Sequence, residues 1–491
     1  MSADGDRLSS ALPDHRGAWY GGAWHEALSG RTVETWNPST GASLGGVAVS
    51  GADDVDAAVA AAKRGFGEWS AVPALERARI LRRIAEVVRQ HARELALIDA
   101  ANCGNPVREM ESDAQIAAAQ LDFFAGLVTE MKGASIPMGP SSVNFSVREP
   151  LGVVARIVPF NHPFMFAAGK SAAPLAAGNA IVVKPPDQAP LSALRLAELI
   201  GGLVPPGVFN VVPGDRETGA ALSRHPDVAM VAIIGSVAAG RAVMRAASDT
   251  IKPLLLELGG KNALIAYPDA DPREVAGAMV AGMNFTWCGQ SCGSTSRAFV
   301  HESIYDAVLA QLGPRVAAFV PGIATEPQTT MGALSSRAQL ERVLGYIEAG
   351  KREGARLLCG GRRPDDPRLA GGFFVEPTVF ADVTPAMSVA REEIFGPVLS
   401  VLRWSDERTM LGEVNAVDYG LTCSIWTNDL STAHRTAMAV RAGYVWINEV
   451  GRHFLGAPFG GVKQSGFGRE ECLDELLRFT QEKNIHVRLR T

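Results

Sequence analysis

The sequence predicts an α/β protein built on parallel sheets that are covered by helices on both faces. Short, nearly continuous apolar runs recur between residues 150 and 260 and again between 298 and 448, and helical stretches separate them. Glycine, proline and polar residues follow these runs directly. Strands that are buried on both faces have this composition, and open α/β sheets bind their ligands where such strands end.

The individual elements follow in chain order. Residues 1–50 are predicted to form an irregular arm with short strands, and 53–97 are helical because apolar residues recur on one face. A helix is predicted over 339–353, and the alternating tail 485–489 is typical of an edge strand that is able to pair with another subunit. Strands are predicted over 152–158, 181–183, 208–212, 228–234, 254–257, 298–300, 372–379, 398–402, 422–426 and 444–448.

Length and charge narrow the class of protein. A chain of 491 residues is too long for one core, so two or three domains are expected. The net charge is −5, from 47 basic and 52 acidic residues. The sequence contains no basic run, so nucleic acid is not expected as a partner. The acidic start is unlike a signal peptide, and no apolar run is long enough to span a membrane. We therefore expect a cytoplasmic protein.

The cysteines are read as free thiols. Six of them are scattered along the chain, and only Cys288 and Cys292 are close to each other. These two lack neighbouring histidines, so no metal site is predicted. Without an export signal, disulfides are not expected either.

Cys292 and Glu257 form the most informative pairing. Each stands on a glycine-rich turn, in Cys288-Gly-Gln-Ser-Cys292 and in Glu257-Leu-Gly-Gly-Lys261. A thiolate attacks a carbonyl carbon, and a carboxylate is able to activate the water that later releases the acyl group. Such a thiol needs a pKa below its ordinary value. A single cysteine is otherwise most often a small buried core residue.

Other candidate groups follow predicted strands. Gly235-Ser236, before a helix that closes on Gly240, suits a phosphate, although a plain turn explains the segment equally well. Lys184 with Asp187 suits the hydroxyls of a ribose, or else a surface ion pair. Asn161 is able to donate to a developing oxyanion, or it only forms a turn before Pro163.

Together these segments resemble the aldehyde dehydrogenase superfamily. The resemblance runs from Asn37 to the tail, and its most specific blocks are the following: Gly289-Gln-Ser-Cys292, Glu392-Glu-Ile-Phe-Gly-Pro397, and Pro458-Phe-Gly-Gly461 with Lys463 and Ser465-Gly466. The resemblance implies a Rossmann-like cofactor domain over 1–130 and 151–258 and an α/β catalytic domain over 259–459. It also implies a small β oligomerisation arm over 131–150 and 478–491, in a homodimer or homotetramer.

The resemblance also implies a reaction with assigned roles. Cys292 would attack an aldehyde, Asn161 would stabilise the oxyanion of the thiohemiacetal, and Glu257 would activate water against the thioester. The cofactor would be NAD, with NADP possible, because acidic Asp187 repels a 2′-phosphate. Cofactor contacts are implied for Val158, Pro159, Phe160, Lys184, Asp187, Gly235, Ser236, Gly240, Leu258, Gly259, Gln339, Glu393 and Phe395.

The substrate itself is not identified by the resemblance. The aldehyde tunnel is implied to include Phe166, Gly169, Trp287, Ser291, His453 and Phe459, with Phe124 and Thr286 nearby. Gly169 replaces a bulky aromatic residue of many relatives, which predicts a wider tunnel. Two alternatives stay open. One is a CoA-acylating semialdehyde dehydrogenase, which typically lacks the Glu257 carboxylate, and the other is a non-catalytic structural homologue.

Overall fold

The computed structural model describes residues 8–490, which form two large sheets, a three-stranded sheet and a hairpin. The strands of this region are β1 Ala18–Tyr20, β2 Ala23–His25, β3 Thr32–Trp36, β4 Ser43–Ala48, β5 Ser135–Ile136, β6 Ser142–Pro150, β7 Val153–Ile157, β8 Ala180–Lys184, β9 Phe209–Val211, β10 Val228–Gly235, β11 Leu254–Leu258, β12 Ala263–Ala266, β13 Arg297–His301, β14 Arg356–Cys359, β15 Thr378–Ala381, β16 Val398–Trp404, β17 Thr422–Trp426, β18 Tyr444–Ile447, β19 Gly466–Phe467 and β20 Thr480–Arg488.

Helices connect most of these strands. They are α1 Ala52–Trp69, α2 Ala74–Gln90, α3 Ala92–Cys103, α4 Val107–Gly126, α5 Pro163–Gly169, α6 Ala172–Ala177, α7 Leu191–Ile200, α8 Arg216–Arg224, α9 Val237–Ser248, α10 Pro272–Gly282, α11 Glu302–Val316, α12 Arg337–Arg352, α13 Ser388–Arg391, α14 Glu407–Asn415, α15 Leu430–Ala439 and α16 Leu473–Arg478. Short 3₁₀ turns cover Val128–Glu130, Gly201–Leu203, Phe285–Trp287, Pro367–Leu369 and Lys463–Ser465.

The first large sheet has the strand order β19-β11-β10-β7-β8-β9-β1-β2. Its five central strands, β11 to β9 in that order, are parallel. Side chains alternate between two cores: Val154 packs with α2 to α7 on one face, whereas Val153 and Ala155 pack with α1, α8 and α9 on the other. The predicted parallel sheet, covered on both faces, is therefore confirmed.

The second large sheet has the order β14-β15-β16-β13-β12-β17-β18, and all of its strands except β14 run parallel. The strand predicted over 372–379 begins only at Thr378. The prediction is wrong for the earlier residues because the backbone of Phe373 bonds to two loops instead, at Pro38 and Leu334. Pro377, which has no N–H to donate, precedes the first ladder residue.

The small sheet joins the tail to an earlier part of the same chain. Strand β20 pairs antiparallel with β6 along its whole length, from Thr480 opposite Pro150 to Arg488 opposite Ser142. The predicted strand at 485–489 is thus confirmed at Ile485 to Arg488, and it begins five residues earlier than its alternation indicated. The tail occupies one edge of this sheet, and β5 occupies the other.

The parallel strands of the first sheet place the candidate groups at one edge. Asn161 follows β7, Lys184 ends β8, Ser236 follows β10, and Glu257 is the penultimate residue of β11. Because these strands are neighbours and run in the same direction, their carboxyl ends meet at the edge where open α/β sheets bind ligands.

Candidate active site

The two glycine-rich turns predicted to cooperate are in direct contact. Asn262 follows the Glu257 turn, and its Nδ2 donates hydrogen bonds to the backbone oxygens of Cys292, at 2.6 Å, and of Ser294, at 3.0 Å. A Cβ on Gly260 would lie 2.9 Å from the Cys292 oxygen, so only glycine allows this approach. The structure therefore brings the Cys292 turn onto the end of the strand that carries Glu257.

The Cys292 turn is anchored on its other side by Gln290. Its amide donates to the Ala333 oxygen at 3.2 Å and accepts from the Ser335 N–H at 3.0 Å, and the side chain is buried. Gly289 has a φ of +66°, and a Cβ there would lie 2.2 Å from the Gly396 oxygen. Sequence reasoning missed the structural roles of Gln290 and Asn262, although both lie inside the motifs that were singled out.

Asn161 presents a free donor to the same cavity. Asn105 Nδ2 donates to the Asn161 backbone oxygen at 2.6 Å, which fixes the turn. The Asn161 side chain is buried, and its Oδ1 is sealed without a partner among the described residues. Its Nδ2 has no partner in residues 8–490 but keeps solvent-accessible surface, so it is accessible from the cavity that the residue lines. An amide N–H placed in this way suits an oxyanion.

Glu257 is buried, Cys292 is half-buried, and both line the same cavity. Burial raises the pKa of the Cys292 thiol well above its ordinary value, and the carboxylates of Glu257 and Glu393 raise it further. Burial likewise raises the pKa of Glu257, with a contribution from Glu470 and opposition from Lys170. The expectation of a lowered thiol pKa is therefore wrong for this state, because no cation of residues 8–490 offsets the burial of the sulfur. A base is needed to form the thiolate.

A cavity of about 480 Å³ adjoins these three residues. The predicted tunnel residues Phe166, Trp287, Ser291, His453 and Phe459 all line it. Gly169 does not line it, and a Cβ there would lie only 2.0 Å from Gln120 Oε1. Gln120, on helix α4, therefore fills the space beside Gly169, and the prediction of a tunnel widened there is wrong.

The residues of α4 that face this cavity were not predicted. They include Glu109, Ser112, Asp113, Ile116 and Gln120. Phe124, which was expected nearby, is buried in the core instead, and Thr286 is not part of the cavity wall. The only sequence signal for the α4 residues is a run of polar side chains inside an otherwise apolar helix.

Buried charges form a cluster behind Glu257. Arg156 lies 2.7 Å from Glu470, and Lys170 lies 2.9 Å from Glu470 and 3.5 Å from Glu471. Burial alone would lower the pKa of Lys170, but these carboxylates outweigh it and raise the pKa above its ordinary value. His453 pairs with Glu471 at 3.2 Å, so the histidine expected in the tunnel belongs to a salt bridge.

Several predicted cofactor residues lie at the carboxyl ends of β8, β10 and β11, an edge of the first sheet that we call the cleft. Ser236 caps helix α9 by accepting from the Ala239 N–H at 3.2 Å. A Cβ on Gly240 would lie 2.5 Å from Leu258, so glycine lets this helix pack closely on β11. Within the part of the chain that the structure describes, the first turn of α9 keeps backbone N–H groups unpaired, as a pyrophosphate requires.

At the end of β8, Lys184 is buried and Asp187 is exposed. Burial lowers the pKa of Lys184, whereas the carboxylates of Asp187 and Asp215 oppose that change. Lys184 Nζ donates to the Pro185 oxygen at 3.0 Å. Val158, Pro159 and Phe160 follow β7 on the same edge of the sheet.

The opposite side of the cleft is formed by the segment from Glu393 to Phe395. Glu393 accepts from the Gly260 N–H at 2.9 Å, and a Cβ on Gly259 would lie 2.1 Å from Glu393 Oε2. The Phe395 ring stands perpendicular to Phe160, with centroids 5.7 Å apart. Gln339 Nε2 donates to the Phe395 oxygen at 2.7 Å, so this predicted contact residue holds the segment in place.

Comparison with known proteins agrees with this geometry. The model of the aldehyde dehydrogenase family matches residues 24–485. The chain belongs to the aldehyde dehydrogenase family. "Aldehyde dehydrogenase tropH" of Talaromyces stipitatus is 52% identical over 490 residues, which cover 98% of this chain and 95% of that protein. The protein is accordingly an enzyme that oxidises aldehydes with a nicotinamide cofactor.

Solved structures of the family share the whole fold. HpcC from Thermus thermophilus is 37% identical, with a TM-score of 0.96 over 99% of this chain and 96% of that one. The NAD⁺ complex of an aldehyde dehydrogenase from Bacillus cereus is also 37% identical, with a TM-score of 0.94 over 100% and 99% of the two chains. The expected α/β fold class is thus confirmed. In residues 8–490 no helix is long and apolar enough to cross a membrane.

Proposed function

We propose that this enzyme oxidises an aldehyde to its carboxylic acid with NAD, through a covalent thioester on Cys292. The contact between the Glu257 and Cys292 turns carries the proposal, because it puts a nucleophile and a base at one cavity together with the free amide of Asn161. Bound in the cleft, NAD⁺ would supply the hydride acceptor. The fit rests on the unpaired N–H groups at the start of α9.

The residues of the chain divide the reaction into two halves. Glu257 takes the proton of the Cys292 thiol, and the sulfur attacks the aldehyde carbon to give a thiohemiacetal. Asn161 Nδ2 and the Cys292 backbone N–H donate to its oxyanion. When the hydride has left that carbon, the carbonyl forms again as a thioester. Glu257 first releases the thiol proton to solvent and then takes a proton from water, whose oxygen attacks the thioester carbon. The tetrahedral intermediate expels the Cys292 sulfur, which takes up the proton held by Glu257, and the acid is released.

The buried pair of raised pKa values supports this sequence of steps. Burial raises the pKa of Glu257, so its carboxylate is a stronger base towards the Cys292 thiol than an exposed carboxylate would be. One carboxylate oxygen of Glu257 is inaccessible to solvent and has no partner among the described residues. The other oxygen is accessible from the cavity. A base with one free oxygen fits both proton transfers.

The presence of Glu257 argues against the CoA-acylating alternative, in which a thiol and not water would release the acyl group. Intact Cys292, Glu257 and Asn161 argue against a structural homologue without activity. For the cofactor, acidic Asp187 favours NAD over NADP. The Bacillus cereus relative has been solved with NAD⁺, and so has PnpE from Pseudomonas sp. WBC-3 with nicotinamide adenine dinucleotide.

The domain division is also part of the proposal. The first large sheet would belong to the cofactor domain, the second to the catalytic domain, and the β5-β6-β20 sheet would serve as the oligomerisation arm. Exposed apolar residues on that arm, Ile136, Met138, Val143 and Val487, suit contact with a second copy. A homodimer or homotetramer in the cytoplasm remains the expectation.

The test is a panel of aldehydes assayed with NAD and NADP, with and without CoA. Reduced cofactor is followed by its near-ultraviolet absorbance, and the acid is identified by mass spectrometry. We expect turnover with NAD and free acid as the product. An acyl-CoA product, or no reduced cofactor with any aldehyde, would refute the proposal.

A further inference from the structure

The walls of the aldehyde cavity are shaped for a flat ring. Aromatic side chains from four separate segments line it: Phe166, Trp287, Trp446 and Phe459. His162 stands among them, with its ring perpendicular to Trp287 at 4.6 Å and to Phe166 at 5.7 Å. Apolar walls with a few placed polar groups are typical of small-molecule sites, and aromatic rings prefer such edge-to-face partners.

The charges along the cavity do not favour an anionic substrate. Each cation that lines it is already paired, as His162 is with Asp113 at 2.6 Å and Lys170 is with Glu470 at 2.9 Å. Arg452 is exposed and lies 4.0 Å from Glu449. The lining also contains Glu109, which adds negative charge. A carboxylate on the substrate would meet repulsion from Glu109 and from the paired acids of the wall, so the cavity disfavours an anionic substrate.

Two hydrogen-bonding groups remain available inside the cavity. His162 donates its Nδ1 proton to Asp113 at 2.6 Å, and its Nε2 has no partner in residues 8–490 and keeps solvent-accessible surface in the cavity. Burial alone would lower the pKa of His162, but the Asp113 carboxylate outweighs it and raises the pKa. Nε2 is therefore able to donate to a ligand oxygen when His162 is the imidazolium and to accept a hydroxyl proton when His162 is neutral.

Gln120 supplies the second hydrogen-bonding group. The Gln120 residue is 2% exposed, and its Oε1 is buried beside Gly169 without a hydrogen-bond partner among the described residues. No described residue forms a hydrogen bond with its Nε2. A buried amide left unpaired costs on the order of 1–3 kcal/mol, which binding of a ligand would offset. Neither Gln120 nor His162 has a role in the chemistry proposed for Cys292 and Glu257.

We propose that the preferred substrate is an uncharged aromatic aldehyde with a hydroxyl oxygen on its ring, and that His162 and Gln120 bind this oxygen. The proposal rests on the aldehyde oxidation proposed above and names its substrate class. His162 is then a specificity residue, because it contacts the ring substituent and not the reacting carbon. Asp113 positions it by fixing the imidazole through Nδ1.

The test compares meta-hydroxybenzaldehyde, benzaldehyde, meta-carboxybenzaldehyde and hexanal at neutral pH, where the phenol is protonated. For the wild-type enzyme we expect kcat/KM for the hydroxy compound to exceed that for benzaldehyde by roughly tenfold or more, because benzaldehyde would leave two buried polar groups unpaired. The carboxy compound should be the poorest aromatic substrate. Equal values for hydroxy and unsubstituted rings, or a preference for the carboxy compound or for hexanal, would overturn the proposal.

The variant His162→Phe keeps a ring of similar size and removes the donor. The ratio of kcat/KM between hydroxybenzaldehyde and benzaldehyde should fall to about one-tenth of its wild-type value or less. Equal losses for both substrates would mean that His162 only supports neighbouring Asn161, and the proposal would fail. Gln120→Met gives an independent measurement if His162→Phe does not fold, with a drop in the same ratio of about threefold to tenfold. His434→Phe, an exposed histidine on α15, is the matched control and should keep the wild-type ratio.

A binding measurement separates this proposal from the proposed function. In Cys292→Ser, quenching of tryptophan fluorescence should report tighter binding of meta-hydroxybenzaldehyde than of benzaldehyde, and His162→Phe in that background should remove the difference. Selective binding by an enzyme that reduces no cofactor would refute the oxidation and leave the site standing. Oxidation of aldehydes without selectivity for the ring hydroxyl would support the oxidation and refute the substrate site.

Discussion

The cofactor cleft and the aldehyde cavity meet at Glu257 and Cys292 but are built in different ways. The cleft takes its polar groups from the ends of β7, β8, β10 and β11, which are neighbours in one parallel sheet. The cavity takes its lining from helix α4, helix α5, the Cys292 turn and the loop at 451–459. The direction of the parallel strands thus determines where the groups of the cleft lie, whereas the packing of distant segments determines which side chains line the cavity.

That difference predicts where substitutions act. Changes in the cleft should alter cofactor binding for every aldehyde alike, because the backbone there is common to all turnovers. Changes in the cavity should alter the ranking of aldehydes and leave cofactor affinity nearly unchanged. Residues at the junction should affect the chemistry itself.

Cys292→Ala has the largest expected effect, since it removes the nucleophile at the junction. Activity with every aldehyde should fall by roughly 10⁴-fold or more, as loss of a covalent nucleophile does elsewhere. NAD affinity, measured by calorimetry, should stay within a few-fold, because the cleft is formed by other residues. Cys288→Ala is the control: Cys288 is fully buried in the core beside the second sheet, so this variant should remain active. A dead Cys288→Ala and an active Cys292→Ala would reverse the assignment.

Glu257→Gln comes next, with a loss of roughly 10²- to 10⁴-fold in steady-state rate. If solvent removes the thiol proton in the variant faster than the thioester is hydrolysed, reduced cofactor should appear as a burst followed by a slow phase, because water has lost its proton acceptor. The wild-type rate should rise with pH, since the base acts as a carboxylate and burial raises the pKa of Glu257. That rise should be absent from the variant. Thioester hydrolysis at the wild-type rate in Glu257→Gln would exclude this role.

Arg156→Met tests the support between the two regions. Arg156 lies in β7, is fully buried, and bonds Glu470 at 2.7 Å behind Glu257. Its removal leaves the buried carboxylates of Glu470 and Glu475 one cation short, and because Lys170 still pairs with Glu470 we expect a loss near the lower end of about 3–5 kcal/mol in the free energy of unfolding. Urea unfolding should show this loss. Arg93→Met breaks a half-exposed pair with Glu111 at 2.7 Å and should change stability little. Equal small losses would mean that the buried cluster does not support the fold.

Strand order explains which groups the sequence could place at one sheet edge, whereas the helix α4 side of the cavity was missed. Lys184, Ser236 and Glu257 each follow or end an apolar run, so strand order alone brings them together. Gln120 and Gly169 are 49 positions apart and belong to different helices, and nothing local shows that one fills the space left by the other. His453 lines the cavity as predicted, and its pairing with Glu471 at 3.2 Å is visible only in three dimensions.

Asp187→Ser should have the smallest effect of this series and should be confined to the cleft. Asp187 is exposed at the end of β8, and the Lys184 ammonium beside it offsets part of its charge. Two unit charges about 4 Å apart repel by roughly 4 kcal/mol at an effective dielectric of 20, and exposure to water and salt reduces this value.

We therefore expect the wild-type enzyme to favour NAD over NADP by about tenfold or more in kcat/KM, and Asp187→Ser to narrow that ratio several-fold. The narrowing should weaken at high salt, because screening already reduces the repulsion in the wild-type enzyme. The ranking of aldehydes should not change, since Asp187 lies outside the cavity wall. A wild-type preference for NADP, or a ratio indifferent to Asp187, would show that this carboxylate does not contact the ribose. A changed aldehyde ranking would show that cleft and cavity are coupled, against the separation drawn above.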